Sequence, residues 1–294
     1  MKLYLEKPKG FHFWQTVSSH GWRSLAPFAF DESNGSLSYV FSGRELKTPI
    51  TAIITEEQKK LKIEISAVKL SAVAQAKILR DVRHILRFDD DLKGFYGLAK
   101  KHKEFAWIAK SSAGRLLRSP TVFEDLVKTI CTTNCSWALT KNMTTNLVEN
   151  LGAASENGKR AFPTPEAMAS VAPEFYKDVM RAGYRAPFFT ELAEKAASGK
   201  INPATWLNSS LTTKELKREM KTIKGVGEYA ADNLLKLVGR YDGLALDSWL
   251  RSQFYKKHNG EKVCDDKQIE KFYERFGIWR GLVMWCDMTE RWFA

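Results

Sequence analysis

The spacing of apolar residues changes character near residue 70, and that change constrains the fold more than any other feature of the chain. Before it, LYLE, FHFWQTV, SLSYVFSG, TPITAIIT and KLKIEIS are short, β-branched or aromatic stretches separated by Gly, Asn, Ser and Pro. This is the pattern of strands with one covered face. From Ala72 onward, Ala76, Ile78, Leu79, Val82, Ile85 and Leu86 recur at three and four residues, the period of an amphipathic helix. The expectation is an α+β fold: a small antiparallel sheet domain over residues 1–70, then a mainly helical domain over 71–294. At 294 residues one core is hard to extend, so the helical part has room for two lobes with a cleft between them.

Helix boundaries in the second part carry their own marks. Thr121 with Glu124 has the spacing of a capping box, and Thr164 before Pro165 places a capping hydroxyl ahead of an N1 proline. Gly152–Lys159 reads as a polar connection, and the last helix as running through WRGLVMWCDM. There is no repeat of solenoid period and no low-complexity tract.

Charge narrows the partners. Lys and Arg number 46 against 34 Asp and Glu, a net +12, and clustered cations gain by releasing counterions from phosphates. Charge alone does not separate DNA, RNA and acidic lipid. The four cysteines, Cys131, Cys135, Cys264 and Cys286, form no CxxC pair, and His12, His20, His84, His102 and His258 are scattered, so no metal site is expected. The cysteine usage reads as that of a reduced, intracellular chain. MKLYLEKPKGFHFWQ lacks the apolar core of a secretory signal, and nowhere do about 18 uncharged apolar residues run together, so no association with a membrane is expected.

The most informative segment is TIKGVGEYAADNLLKLVGRYDGLALDSWLRSQF, residues 222–254. KELKREM before it reads as a helix; after Gly227, Ala230, Leu234, Leu237 and Val238 fall near one face of another. Gly225, Val226 and Gly227 join the two in a tight, bare turn. Such a turn presents unpaired N–H groups beside a helix N-terminus, a natural seat for a phosphate oxygen, with Lys224 adjacent. Twenty residues after Gly227 stands Asp247, where an apolar approach gives way to an amphipathic helix. As an N-cap it starts that helix. The same location suits a carboxylate that stabilises positive charge developing on a sugar or orients a water.

This order and spacing resemble the helix-hairpin-helix signature of the HhH-GPD superfamily of DNA glycosylases. The resemblance covers about residues 115–290 and implies a helix-hairpin-helix glycosylase domain. It implies that Gly225 and Gly227 are the hairpin glycines gripping the backbone and that Asp247 is the catalytic carboxylate acting on a flipped nucleotide. The loop before Asp247 departs from the family in having Leu244, Ala245 and Leu246 without a proline. Bifunctional members carry a lysine two residues after the second hairpin glycine; here that position is Tyr229. A phenol forms no imine, so the expectation is a monofunctional enzyme without abasic-site lyase activity. Lys224 and Lys236 are read as phosphate contacts or solvated side chains.

Two branches of the superfamily leave traces. An aromatic at Tyr229 is similar to the AlkA-type 3-methyladenine glycosylases, and RFGIWRGLVMW resembles the same branch, placing Phe276 and Arg280, with Trp249, in the base pocket. Ring faces attract a cationic alkylated base. ICTTNCSW and AGYRAPFF instead resemble the 8-oxoguanine branch, with Asn134 on the turn inserted into the duplex and Tyr184 with Arg185 holding the orphaned partner base. Leu139 stands where that branch has a second arginine. A cationic base is already a good leaving group for a single carboxylate, which tilts the expectation toward an alkylated purine, with oxidised guanine as the alternative. A non-catalytic damaged-DNA-binding protein is the other reading; an RNA-binding one lacks any RRM or KH motif.

The resemblance further implies double-stranded DNA carrying a damaged base as the partner, action as a monomer, no cofactor beyond a structural monovalent cation at the hairpin, and a cytoplasmic, nucleoid-associated or nuclear location according to the source.

Overall fold

The computed structural model describes residues 1–292. Five strands form one antiparallel sheet in the order β1-β5-β4-β3-β2: β1 (Lys2–Glu6), β2 (Ala29–Asp31), β3 (Ser36–Phe41), β4 (Ile50–Glu57) and β5 (Lys60–Ile65). Alternate residues point to the same face. Leu37, Tyr39 and Phe41 of β3, Ile54 and Ala52 of β4, and Leu61 and Ile63 of β5 are accordingly buried together. FHFWQTV, expected as a strand, contains the short helix α1 (Phe13–Val17), begun by His12, whose ring nitrogen accepts from Gln15 N. A local side-chain cap prevails there over β propensity.

The face of the sheet is covered by α2 (Ala72–Ile85), whose Ala74, Ile78, Val82 and Ile85 belong to the same apolar cluster. The sheet's hydrophobic core thus continues past residue 70 to Phe88, and takes in Leu117 and Leu237 from farther along the chain. A boundary at residue 70 marks the change of period and cuts through a shared core.

The remaining helices form two clusters. One is built by α5 (Val122–Thr132), α6 (Trp137–Leu151), α7 (Pro165–Ala169), α8 (Pro173–Asp178), α9 (Ala186–Ala197), α10 (Thr213–Met220) and α11 (Glu228–Leu237) around Leu126, Ile130, Met143, Phe189 and Leu234. The other joins α3 (Lys93–Lys100) and α4 (Ala106–Lys110) to α12 (Ser248–His258), α13 (Asp266–Glu274) and α14 (Arg280–Thr289) around Phe95, Phe105, Leu250, Tyr273 and Leu282. No helix among the described residues is long and apolar enough to cross a membrane.

Caps follow the sequence with one exception. Thr164 accepts from Ala167 N ahead of Pro165, and Thr212 with Glu215 completes a capping box on α10. Thr121 accepts from Glu124 N, but the Glu124 carboxylate does not reach back. It is buried and takes bonds from Lys128 Nζ and Tyr39 Oη, each at 2.6 Å. A buried carboxylate needs strong donors, and these two outcompete a surface cap.

Arg87 ties the three parts together. It is wholly buried, donating to the carbonyls of Leu116, Lys236 and Leu237 at 2.6–2.7 Å and to Tyr241 Oη and the Asp90 carboxylate. Its charge therefore sits on the C-terminal carbonyls of α11, where the helix dipole favours a cation.

Candidate active site

The turn between α10 and α11 is built as its glycines require. Gly225 has φ +88°, and a Cβ there would stand 2.9 Å from Phe188 and 3.2 Å from Ile130. Only glycine meets both demands. Val226 beneath is buried and anchors the turn. Gly227 caps α11 with ordinary φ −86°, without a side-chain cap bond and with open space where a Cβ would be. The first-turn N–H groups of α11 thus face outward from a bare cap. Glu228 begins this helix, and its acidity is raised to a value of about 2 by Lys217 and Lys221, which pair with it. Lys224 reaches Glu191 at 2.6 Å on the surface.

Asp247 is the N-cap of α12, accepting from Leu250 N at 2.7 Å. The loop that delivers it holds Ala245 at φ +55°, a left-handed conformation costing a side-chain-bearing residue about 1 kcal/mol. The proline-free Leu244–Leu246 loop thus reaches the carboxylate by a strained residue.

Asp247 opens onto a cleft of about 530 Å³ lined from both helical clusters and from the loop after α1. Along α11, Tyr229, Asn233 and Lys236 stand at i, i+4 and i+7, one face of the helix, and all three line it. Trp249, two residues after Asp247, stands at the rim, tilted against Trp292 at 5.6 Å and against Trp285 at 6.4 Å. Trp285 donates to Ser19 O at 2.9 Å, which fixes the far wall. Burial and the neighbouring Asp247 push the Tyr229 phenol up to about 12, so it stays a protonated hydrogen-bond donor.

Two cleft groups escape sequence reasoning. Lys236 is 3% exposed, donates to Leu244 O at 2.9 Å and lies 5.7 Å from the centre of the Trp285 ring. It is neither solvated nor placed for phosphate; burial lowers it to about 8. The available signal is its spacing from Tyr229 and Asn233. His20 is bonded through Nε2 to Leu117 O at 2.5 Å and packs edge-on to Trp22. Burial holds it neutral, at about 4.

Two of the residues expected to face a duplex are also brought together. Asn134, at φ +45° on the turn between α5 and α6, donates to Tyr184 Oη at 3.2 Å, both exposed. Arg185 is different. Expected to offer paired donors to a base edge, it is 2% exposed, with its guanidinium directed to Thr133 O, Thr133 Oγ1 and Ala182 O and lying 4.4 Å from the Tyr184 ring. It braces the turn that carries Asn134.

Two pocket expectations are corrected. Phe276 is 2% exposed and packs on His102, Phe105 and Tyr273 in the core of the second cluster, away from the cleft lining. Arg280 donates to Asp242 O and helps dock α14, whose Gly281 N donates to Tyr241 O at 2.7 Å. Trp279 stacks on Tyr241 at 5.4 Å. The Trp-Arg pair at the start of α14 therefore serves helix packing.

Solved structures that resemble the chain over nearly its whole length include the following three. MBOgg1 with a low-affinity DNA ligand superposes with a TM-score of 0.77 at 22% identity, covering 99% of this chain and 96% of that one. The 3-methyladenine DNA glycosylase of Archaeoglobus fulgidus gives 0.77 at 16%, covering 99% of each. The Clostridium acetobutylicum 8-oxoguanine glycosylase/lyase in its apo form gives 0.76 at 17%, covering 100% and 96%. The chain has the fold of these helix-hairpin-helix glycosylases. No family model matches the sequence. No curated protein matches it either.

The 3-methyladenine glycosylase and the 8-oxoguanine glycosylase/lyase superpose with nearly the same TM-score, 0.77 and 0.76, so the fold alone does not separate their chemistries.

Proposed function

We propose that the chain is a DNA glycosylase of base excision repair that releases a flipped damaged purine by hydrolysis. The observation carrying this reading is the convergence of the Asp247 carboxylate and the Tyr229-Asn233-Lys236 face of α11 on one cleft, on the helix that the glycine hairpin begins. The basic surface and the hairpin N–H groups hold double-stranded DNA. Asn134 and Tyr184 occupy the gap left by the extruded nucleotide. The bond between C1′ and the base nitrogen breaks with its electron pair going to the base. Asp247 stabilises the positive sugar as water adds to C1′ and the water proton passes to the departing base, leaving an abasic site.

Hydrolysis rather than lyase chemistry is supported by Tyr229, a phenol that neither ionises nor forms an imine near neutral pH. The chain acts as a monomer in this reading, in the cytoplasm of a bacterium or the nucleus of a eukaryote, with a monovalent cation on the hairpin carbonyls.

An alkylated purine suits the aromatic lining of Trp249, Trp285 and Tyr229. The absence of Phe276 and Arg280 from the cleft removes part of that basis, and the buried Lys236 favours an oxidised, neutral base. The test is incubation with duplexes bearing 3-methyladenine, 7-methylguanine, hypoxanthine, uracil and 8-oxoguanine, scored for abasic sites with and without alkali. Lesion binding with no abasic product from any of them would establish a binding protein instead.

A further inference from the structure

We infer that Lys236 is the residue that selects the extruded base, donating to an acceptor on a neutral, carbonyl-bearing purine and excluding bases that carry a positive charge. The inference rests on the reading of the cleft as the seat of the flipped nucleotide. Lys236 lines that cleft from the same face of α11 as Tyr229 and Asn233, two turns along the helix from Tyr229 and one from Asn233. It is buried, and among the described residues no carboxylate lies within ion-pairing distance of its ammonium. The carbonyl of Leu244 takes one N–H, which leaves donors for a ligand. A buried cation held by no direct ion pair, with only the more distant Asp232 and Asp247 carboxylates favouring its charge, is costly, and a perturbed cation of this kind in a cleft is a candidate for ligand contact.

Two neighbours sharpen the selection. The Trp285 ring, the aromatic face that would attract a cationic base, already has the Lys236 ammonium 5.7 Å from its centre. His20 across the cleft is neutral and adds no compensating charge, its ring nitrogen engaged by Leu117 O. The charged and titratable groups acting on Lys236 are Asp232 on its own helix, Asp247 at the start of α12 and Cys286 on α14. Cys286 is held protonated by burial. A second positive charge brought to this floor meets repulsion in a poorly solvated site, whereas a neutral base leaving with the bonding electron pair gains from the ammonium.

The test compares base release by the full chain from duplexes bearing neutral lesions, 8-oxoguanine and hypoxanthine, with release from duplexes bearing cationic ones, 7-methylguanine and 3-methyladenine. The unaltered protein is expected to favour the neutral class in kcat/KM by about 100-fold, and Lys236→Met to lose that preference by slowing the neutral class while speeding the cationic one. Faster release of the cationic class by the unaltered protein overturns the inference and leaves the glycosylase reading standing. Equal slowing of both classes by Lys236→Met, in a variant that has lost no stability, also overturns it. So does a borohydride-trapped adduct on abasic DNA that disappears in Lys236→Met, because the amine would then be a nucleophile toward the sugar. Release of no base from any duplex, with binding intact, overturns the glycosylase reading and the inference together.

Discussion

Asn134 and Tyr184, fifty positions apart, meet through a hydrogen bond of 3.2 Å on the exposed surface, and Arg185 beneath them braces both. The contact joins the turn after α5 to the short helical turn before α9. If the pair fills the gap left by an extruded nucleotide, Asn134→Ala and Tyr184→Ala each lower kcat/KM on lesion duplexes by about tenfold and leave thermal stability within about 0.5 kcal/mol, as for exposed positions. An exposed neutral hydrogen bond contributes about 1 kcal/mol or less, so the double variant is expected to fall short of additivity by that amount. Full additivity in a double-mutant cycle would show that the two act separately.

Arg185→Ala behaves differently. Its donors serve the Thr133 carbonyl and hydroxyl, so its loss leaves buried groups unpaired and releases the turn. The expected cost is 2–3 kcal/mol in chemical denaturation, together with weakened duplex binding. A variant with unchanged stability and altered opposite-base preference would return Arg185 to a base-reading role.

Asp247 caps α12, and the catalytic role proposed for it is separated from that cap by one pair of substitutions. In Asp247→Asn the amide oxygen still accepts from Leu250 N, so α12 stays capped and stability changes little. Base release nevertheless falls by about 100-fold or more, because no negative charge faces the developing sugar cation. Asp247→Ala loses the same activity and also about 1 kcal/mol of stability. Full activity in Asp247→Asn, measured as abasic sites at saturating duplex, would remove the carboxylate from the chemistry.

How much of this is legible in the sequence depends on whether the determinant is local. The hairpin glycines and the Asp247 cap are legible because turns and helix starts are set by neighbouring residues. Asn134 and Tyr184 are legible as short motifs, though not their contact. Phe276 and Arg280 are misread because an aromatic beside an arginine suits a core or a helix junction as well as a pocket, and only the packing of Phe276 on His102, Phe105 and Tyr273 and the bond of Arg280 to Asp242 O decide. Lys236 is the converse case. A lysine two turns into a helix reads as surface until the Leu244 loop and Trp285 close over it. The helix at Phe13–Val17 is lost for a similar reason, since an aromatic run hides a histidine cap.

Lys236 also predicts a conflict between stability and selectivity. Its value falls from 10.5 to about 8 in the fold, so the folded state disfavours the charged form, and below pH 8 that burden amounts to roughly 3 kcal/mol. Lys236→Met removes it but leaves Leu244 O unpaired, at roughly 1–2 kcal/mol. The variant is therefore expected to gain about 1–2 kcal/mol at pH 7 and no advantage above pH 10.5, where the unfolded lysine is neutral too. Urea melts at the two pH values check the sign; lower stability at pH 7 would show that the ammonium is well solvated.

Acid brings out the buried histidines. His20 is held at about 4 and His84 at about 3, chiefly by burial, with Arg118 and Arg87 also opposing charge on His84. Both bind fewer protons folded than unfolded, so their contribution is present above pH 6.5 and lost as pH falls through 6.5 toward 4 and 3. His20 is worth up to roughly 3 kcal/mol and His84 up to roughly 5. Asp125 opposes them: burial raises it to about 6 despite bonds from Trp22 and Ser119, and its contribution is present below 3.8 and lost as pH rises through 6. Two histidines outweigh one aspartate in the shared window, so stability declines between pH 6.5 and 4. In His20→Gln, which keeps a donor for Leu117 O, that decline is shallower; an unchanged slope would mean that the imidazole titrates freely in the fold.

The two hairpin glycines separate folding from backbone contact. Gly225→Ala forces a Cβ against Phe188 and Ile130 at a positive φ; the left-handed conformation alone costs about 1 kcal/mol, and overpacking adds roughly 1–3. Gly227→Ala meets nothing within 4 Å at an ordinary φ. It is neutral to folding within a few tenths of a kcal/mol, or slightly stabilising because the unfolded chain loses freedom. Its methyl group instead stands at the bare cap where a phosphate oxygen would approach the first N–H groups of α11. Gly227→Ala is therefore expected to melt like the parent while binding duplex about tenfold more weakly for lesion and undamaged DNA alike, since the contact reads no base. Gly225→Ala is expected to lose stability first, with binding recovering at low temperature. Unchanged duplex affinity in Gly227→Ala, measured at several salt concentrations, would place the phosphate elsewhere on the basic surface.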